Sequence, residues 1–246
     1  HIAIVDPAPG LPAGAEQDRR ITVYHDVTDL ARHSDDMCDI CVLAVKPQIM
    51  EDVLQSLQDC GFSANMMISV AAGITIDTIR QKLGSSPAIV RVMPNTPSLI
   101  GQGVLTVCPG DALSDKQDAD IQTVLQGCGH VFRLDDEKYM NAVTAVSGSG
   151  PAYVFAMIEA LAEAGKDEGL PGDFDSQLAR RTVEGAAGLS AHNAGTAIGD
   201  LRANVTSPGG TTEAGLKALL DATHGLKPLL AKTVKAARQR GDDLGG

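Results

Sequence analysis

Asp39-Ile40-Cys41-Val42-Leu43-Ala44-Val45-Lys46-Pro47-Gln48 is an apolar run that stops abruptly at a lysine and a proline. An apolar stretch of this length bounded by turn residues reads as a buried strand, here over 39–45. A helix is expected over 48–60, because proline is accommodated at the opening of a helix and not in its interior. Working outward from this unit, the same alternation recurs on both sides. Further strands are expected over 2–5, 21–24, 66–70, 88–92, 103–108 and 130–134, with helices over 27–33, 76–83 and 114–127. Strand alternating with helix predicts a mostly parallel sheet covered on both faces, the doubly wound Rossmann-like α/β arrangement. Ligands of such sheets lie beyond the carboxyl ends of the strands.

After Asp135 the pattern changes. β-Branched runs give way to Ala, Leu, Glu and Lys at helical spacing, and helices are expected over 137–146, 152–168, 175–191, 212–222 and 227–239. Gly169-Leu170-Pro171-Gly172 and the glycine-rich stretch near Gly195 supply the stops. Two domains are therefore expected, an α/β domain over 1–136 and an all-helical domain over 137–246. Along 153–161 the apolar residues run nearly all round the helix, which predicts burial against a second subunit and hence a homodimer or an assembly of dimers.

Composition narrows the partners. The chain has 246 residues with 31 acidic against 20 basic side chains, a net charge of −11. A surface of that sign repels a phosphate backbone or an anionic bilayer, and the basic residues are scattered, so neither nucleic acid nor a membrane is expected. There is no Trp, and three Tyr with four Phe leave little material for stacking on bases. No stretch of about 18 consecutive apolar residues occurs and the opening His1-Ile2-Ala3-Ile4-Val5 has no basic leader, so a cytoplasmic location is expected. Five dispersed cysteines argue against a secreted disulfide framework. The pair Cys38-x-x-Cys41 has its second member inside an apolar run and no partner pair, so it reads as strand packing rather than a zinc or redox site. The six histidines are dispersed and neither H-E-x-x-H nor G-x-S-x-G occurs; no metal is expected.

Three segments exceed what scaffold requires. Ser147-Gly148-Ser149-Gly150-Pro151-Ala152-Tyr153 separates two helical patterns and, taken alone, reads equally well as a helix-to-helix turn. Val205-Thr206-Ser207-Pro208-Gly209-Gly210-Thr211-Thr212-Glu213 precedes an apolar helix. Free N–H groups and the dipole at such a helix start suit a carboxylate or phosphate, while the plain alternative is a capped helix with Thr211 or Thr212 as cap. Ala44-Val45-Lys46-Pro47, Ser69-Val70-Ala71-Ala72-Gly73 and Arg91-Val92-Met93-Pro94-Asn95-Thr96-Pro97 close three strands whose ends converge on the ligand crevice.

Ala44 to Pro47, Ala71-Ala72-Gly73, Arg91 to Pro97, Ala142 to Tyr153 and Asn204 to Thr212 resemble, in order and spacing, the successive signatures of pyrroline-5-carboxylate reductases, over essentially the whole chain. The resemblance implies a nicotinamide-binding domain followed by a helical dimerisation domain, with NADP(H) or NAD(H) as cofactor. It implies reduction of 1-pyrroline-5-carboxylate to L-proline, the last step of proline biosynthesis. By the same resemblance Val45, Lys46, Pro47, Val70, Ala72 and Asn95 line the cofactor cleft and Asn204 reaches the cofactor from the helical domain. Glu137, Thr211 and Thr212 meet the substrate. The backbone of Gly209, Gly210, Thr211 and Thr212 holds its carboxylate, and the Thr212 hydroxyl bonds the ring nitrogen that gains a proton. Chemistry agrees, since reduction of a C=N bond needs a placed hydride donor, a carboxylate anchor and one proton, with neither metal nor covalent nucleophile. A threonine hydroxyl is a poor acid, so Thr212 is expected mainly to orient the nitrogen or relay a proton.

Several residues depart from the family pattern. The family opens with a strand and a G-x-G-x-x-G-like loop, whereas this chain starts at what corresponds to the second strand. The expectation is that roughly 25 to 30 further residues precede His1, or that cofactor is bound poorly. Asp6, at the end of that strand, is of the type that bonds a ribose 2′-hydroxyl and repels a 2′-phosphate, which leaves the choice between NAD(H) and NADP(H) open. Lys138-x-x-Asn141 mimics the lysine and asparagine of hydroxyacid dehydrogenases, one alternative. A non-catalytic dimeric ligand-binding protein is another, motivated by the missing phosphate loop.

Overall fold

A computed structural model of the chain describes residues 1–8, 17–33, 37–83 and 87–244. It divides into two compact units, His1–Thr144 together with Gln239–Gly246, and Ala145–Arg238.

In the first unit the strands are β1 (Ile2–Val5), β2 (Ile21–Tyr24), β3 (Cys38–Leu43), β4 (Ala64–Ser69), β5 (Ala88–Met93), β6 (Gly103–Pro109) and β7 (Gly129–Arg133). The helices between them are α1 (Val27–His33), α2 (Met50–Asp59), α3 (Ile76–Leu83) and α4 (Asp115–Leu125). β3 to β7 form one sheet in sequence order, and β1 and β2 pair in parallel as a separate ladder. β3, β4 and β5 are parallel, β6 runs antiparallel to β5, and β7 is parallel to β6. The reversal at β5 has a simple cause. A parallel return needs a crossover of a dozen or so residues, and the link over 94–102 holds only the short 3-10 turn Thr96–Ile100.

The period of two along each strand sorts the core onto two faces. Met67 and Ile89 join Met50, Leu54 and Leu57 of α2 and Ile76 and Ile79 of α3 on one side. Met66, Ile68, Val90 and Val92 join Leu105, Val107 and, from α4, Ile121 and Leu125 on the other. Covering on both faces is why β4 and β5 carry apolar side chains at consecutive positions, as in Met66-Met67-Ile68 and Ile89-Val90. Gly103 is required by close approach, because a Cβ there would meet the Ser98 Oγ at 2.0 Å. α4 opens with a capping box: Ser114 Oγ accepts from the Gln117 N–H at 3.3 Å and the Ser114 N–H donates to Gln117 Oε1 at 2.9 Å. Ser114→Ala is expected to lower unfolding stability by about 1 kcal/mol, seen as a lower urea midpoint at unchanged slope.

The chain then passes through a 3-10 turn (Glu137–Tyr139), α5 (Met140–Val143) and a π turn (Thr144–Gly148) into α6 (Gly150–Asp167). The expected break at Ser147 to Gly150 is thus a widened helical turn and not a loop. Pro151 fits because it falls in the first turn of α6, where no N–H is needed. Next come α7 (Phe174–His192), α8 (Ile198–Asn204), α9 (Thr211–Leu219) and α10 (Leu226–Leu244). α8 is an addition to the sequence reading, which takes the glycine-rich stretch near Gly195 as a stop and finds Gly199 within the seven residues that follow. α10 continues past 239, where the apolar period fades into charged residues.

Among the described residues of the second unit the buried apolar side chains are Ala145 and Ala179 alone. Val154, Phe155, Met157 and Leu161 of α6 and Leu189 of α7 are exposed. The helical run Glu137–Asp167 is, by length and composition, long and apolar enough to cross a bilayer.

Candidate active site

In the first unit, β3 and β4 end in step at the paired Leu43 and Ser69, and Ser69 pairs with Arg91, two residues before the end of β5, so the segments that follow these parallel strands emerge at the same edge of the sheet. Val45, Lys46, Pro47, Val70, Ala72 and Asn95 are brought to that edge. Lys46 is exposed and makes no ion pair among the described residues; its carbonyl accepts from the Ile49 N–H at 3.1 Å, closing the 3-10 turn Pro47–Ile49. Val45, Val70 and Ala72 are half-buried against the cores. The carbonyl oxygen of the Asn95 side chain accepts from the Val104 N–H at 2.9 Å and so fixes the start of β6. Asp6 follows β1, on the separate ladder; its Oδ1 accepts from the Ala8 N–H at 2.9 Å in a local turn. Among the described residues no strand pairing joins Asp6 to the other edge residues.

Glu137 lies at a cavity of about 360 Å³ bordered by Thr75, Arg91, Lys138, Asn141 and Asp242. Its Oε1 accepts from Arg91 Nη1 at 2.7 Å and from the Ile76 N–H, the first of α3, at 2.9 Å. The carboxylate thereby meets both a guanidinium and the partial positive charge of a helix start. Asn141 Nδ2 donates to Asp242 Oδ1 at 2.9 Å, which ties the end of α10 to this part of the unit. Lys138, at the border of the cavity, pairs with other residues than Glu137: its ammonium is 2.5 Å from Asp136 Oδ2 and 4.8 Å from the centre of the Tyr139 ring, and its side chain is 64% exposed. That pairing raises the Lys138 pKa. Arg91 and Asp242 escaped sequence reading. A charged residue inside Ile89-Val90-Arg91-Val92-Met93 is a usable signal for the first; nothing local marks the second.

Burial pushes the Cys41 thiol up to about 12, which favours its neutral form. The Cys108 thiol is raised too, by burial first and then by the Glu137 carboxylate.

In the second unit, α9 opens on Gly210, which has extended backbone and no side chain to cap the helix. Neither Thr211 nor Thr212 is the cap, and both are exposed. Gly209 has φ +70°, in the left-handed region that favours glycine, and it turns the chain into the helix. Its N–H donates to Glu213 Oε2 at 2.7 Å, and the Gly210 N–H to the Ser207 carbonyl at 3.0 Å. The N–H groups of Thr211 and Thr212 donate to nothing among the described residues, and the Thr212 hydroxyl is likewise uncommitted. Of the four backbone amides expected to hold a carboxylate, two are therefore engaged within the turn and two are open. Asn204, the last residue of α8, is exposed.

A doubly wound sheet whose strand ends form a ligand edge, followed by a helical unit with an anion-receptive helix start, is the architecture of a dinucleotide-binding oxidoreductase. A solved ketol-acid reductoisomerase from an uncultured archaeon, at 12% identity and a TM-score of 0.53, shares that fold. Residues 137–244 match the family model described as pyrroline-5-carboxylate reductase dimerisation. The pyrroline-5-carboxylate reductase of Glycine max is 37% identical over 231 residues, 94% of this chain and 81% of its own length. That of Pseudomonas aeruginosa is 37% identical over 247 residues, 96% of this chain and 89% of its own. Among solved structures, the pyrroline-5-carboxylate reductase of Coxiella burnetii has a TM-score of 0.81 at 33% identity, covering 92% of this chain and 82% of that one. The Plasmodium falciparum pyrroline carboxylate reductase with NADP bound has a TM-score of 0.78 at 31% identity, covering 95% and 86%. The chain belongs to the pyrroline-5-carboxylate reductase family.

Proposed function

We propose that this protein reduces 1-pyrroline-5-carboxylate to L-proline with hydride from NADPH or NADH, in the cytoplasm, as a homodimer or an assembly of dimers. The observation that carries the reading is the pair of open amides at the start of α9 beside the uncommitted Thr212 hydroxyl. Helix starts of this kind bind carboxylates through N–H groups and dipole together. The Thr211 and Thr212 amides would hold the substrate carboxylate, with Gly209 and Gly210 shaping the turn that exposes them. The Thr212 hydroxyl would bond the ring nitrogen as it takes up its proton.

Small residues and a free cation suit the sheet edge to a flat, phosphate-bearing cofactor. Val45, Lys46, Pro47, Val70, Ala72 and Asn95 would line its cleft, with Asp6 and Asn204 as further contacts. When bound, reduced nicotinamide supplies the hydride for the imine carbon. Residues 1–136 would form the cofactor part and 137–246 the substrate and pairing part. The near absence of a buried apolar interior in the second unit, with Phe155 and Met157 open on α6, supports pairing through these helices.

The test is loss of reduced-cofactor absorbance with pyrroline-5-carboxylate, using protein expressed from its complete reading frame, beside Lys138→Ala. That variant is expected to keep kcat/KM within about twofold, as for an exposed lysine paired only with its neighbour. Near-total loss on Lys138→Ala would favour a hydroxyacid dehydrogenase. No cofactor consumption with retained proline binding would favour a ligand-binding protein.

A further inference from the structure

Arg91 sits in the most deeply buried strand of the sheet, between Val90 and Val92, with its side chain 4% exposed. Nη1 reaches Glu137, while Nη2 is enclosed and has no hydrogen-bond partner among the described residues. Enclosing a guanidinium costs more than one ion pair returns, and an unpaired N–H adds to that cost. An apolar residue of similar volume would commonly serve stability as well or better. Stability therefore does not account for an arginine in this strand.

Its geometry toward Glu137 does. Arg91 Nη1 from β5 and the Ile76 N–H from α3 both end on Oε1, whereas Oε2 takes no hydrogen bond among the described residues. Two donors on two rigid elements fix one oxygen of a carboxylate that lines the cavity, and the orientation of the other oxygen follows. We propose that Arg91 is a positioning residue, which holds Glu137 so that Oε2 is presented to the substrate; this rests on the reading that Glu137 meets pyrroline-5-carboxylate.

Kinetics of Glu137→Gln, Arg91→Met, Arg91→Lys and the double variant Arg91→Met/Glu137→Gln test it. Loss of a charge-assisted contact to substrate is expected to raise the KM for pyrroline-5-carboxylate about tenfold in Glu137→Gln and in Arg91→Met, with the KM for reduced cofactor unchanged. Arg91→Lys should fall between Arg91→Met and the parent. In the Glu137→Gln background Arg91→Met should add no more than about twofold, because both act through one contact. If Glu137→Gln raises KM while folded Arg91 variants keep the parent value, or if the two effects multiply in full, the positioning role is wrong and the reading of Glu137 stands. If Glu137→Gln itself leaves KM unchanged, that reading fails first. Should Arg91→Met not fold, Arg91→Lys decides: a KM rise of about threefold that vanishes in the Glu137→Gln background supports the role, and a parent-like KM overturns it.

Discussion

Replacing Thr211 by proline is expected to raise the KM for pyrroline-5-carboxylate about 10- to 100-fold, the loss of one hydrogen bond to a charged group, while α9 stays folded. Thr211 is the first residue of α9, the one helical position where proline's fixed φ and missing N–H are harmless. The residue ahead of a proline must be extended, and Gly210 already is, at φ −83° and ψ 171°. The exchange thus deletes one open amide and little else. Thr211→Ala keeps the amide and removes only the side chain, so it should stay close to the parent if the backbone is the anchor. A helical spectrum that is preserved together with an unchanged KM in Thr211→Pro would place the carboxylate elsewhere.

Thr212→Val is expected to lower kcat/KM about 100-fold, the lower end of what a positioned proton donor or relay contributes. Valine matches threonine in shape, and the position is exposed and not the cap of α9, so neither packing nor capping is disturbed. Thr212→Ser, which keeps the hydroxyl at the expense of a methyl, should recover most of the rate. Turnover by Thr212→Val equal to that of the parent would remove the hydroxyl from the mechanism and leave water to supply the proton.

Much of the architecture was legible because it rests on short-range pattern. The run through Leu43 to Pro47 announced a strand end and a helix start, and the period-2 and helical stretches around it placed β1 to β7 within a residue or two. What failed were features decided by count or by distance. Gly195 and Gly199 read as helix stops, and so hide α8. Ser147 to Gly150 look like a break, yet a π turn absorbs them without leaving the helical path. The same division holds at the site. The start of α9 could be read because proline, glycines and hydroxyl residues sit together, although the engagement of the Gly209 amide by Glu213 could not. Arg91 and Glu137 are 46 positions apart, and Asn141 and Asp242 are 101 apart; such partners meet only once the sheet and the last helix are in place.

With Ala145 and Ala179 as its sole enclosed apolar side chains, the helical unit has almost no interior of its own. A segment so poor in interior draws little stability from its own core. If it pairs as proposed, its stability depends on protein concentration. Under the proposed pairing, dilution would loosen the turn that presents the Thr211 and Thr212 amides, so the amount of protein in solution would set the integrity of the proposed anchor as well as the number of assemblies.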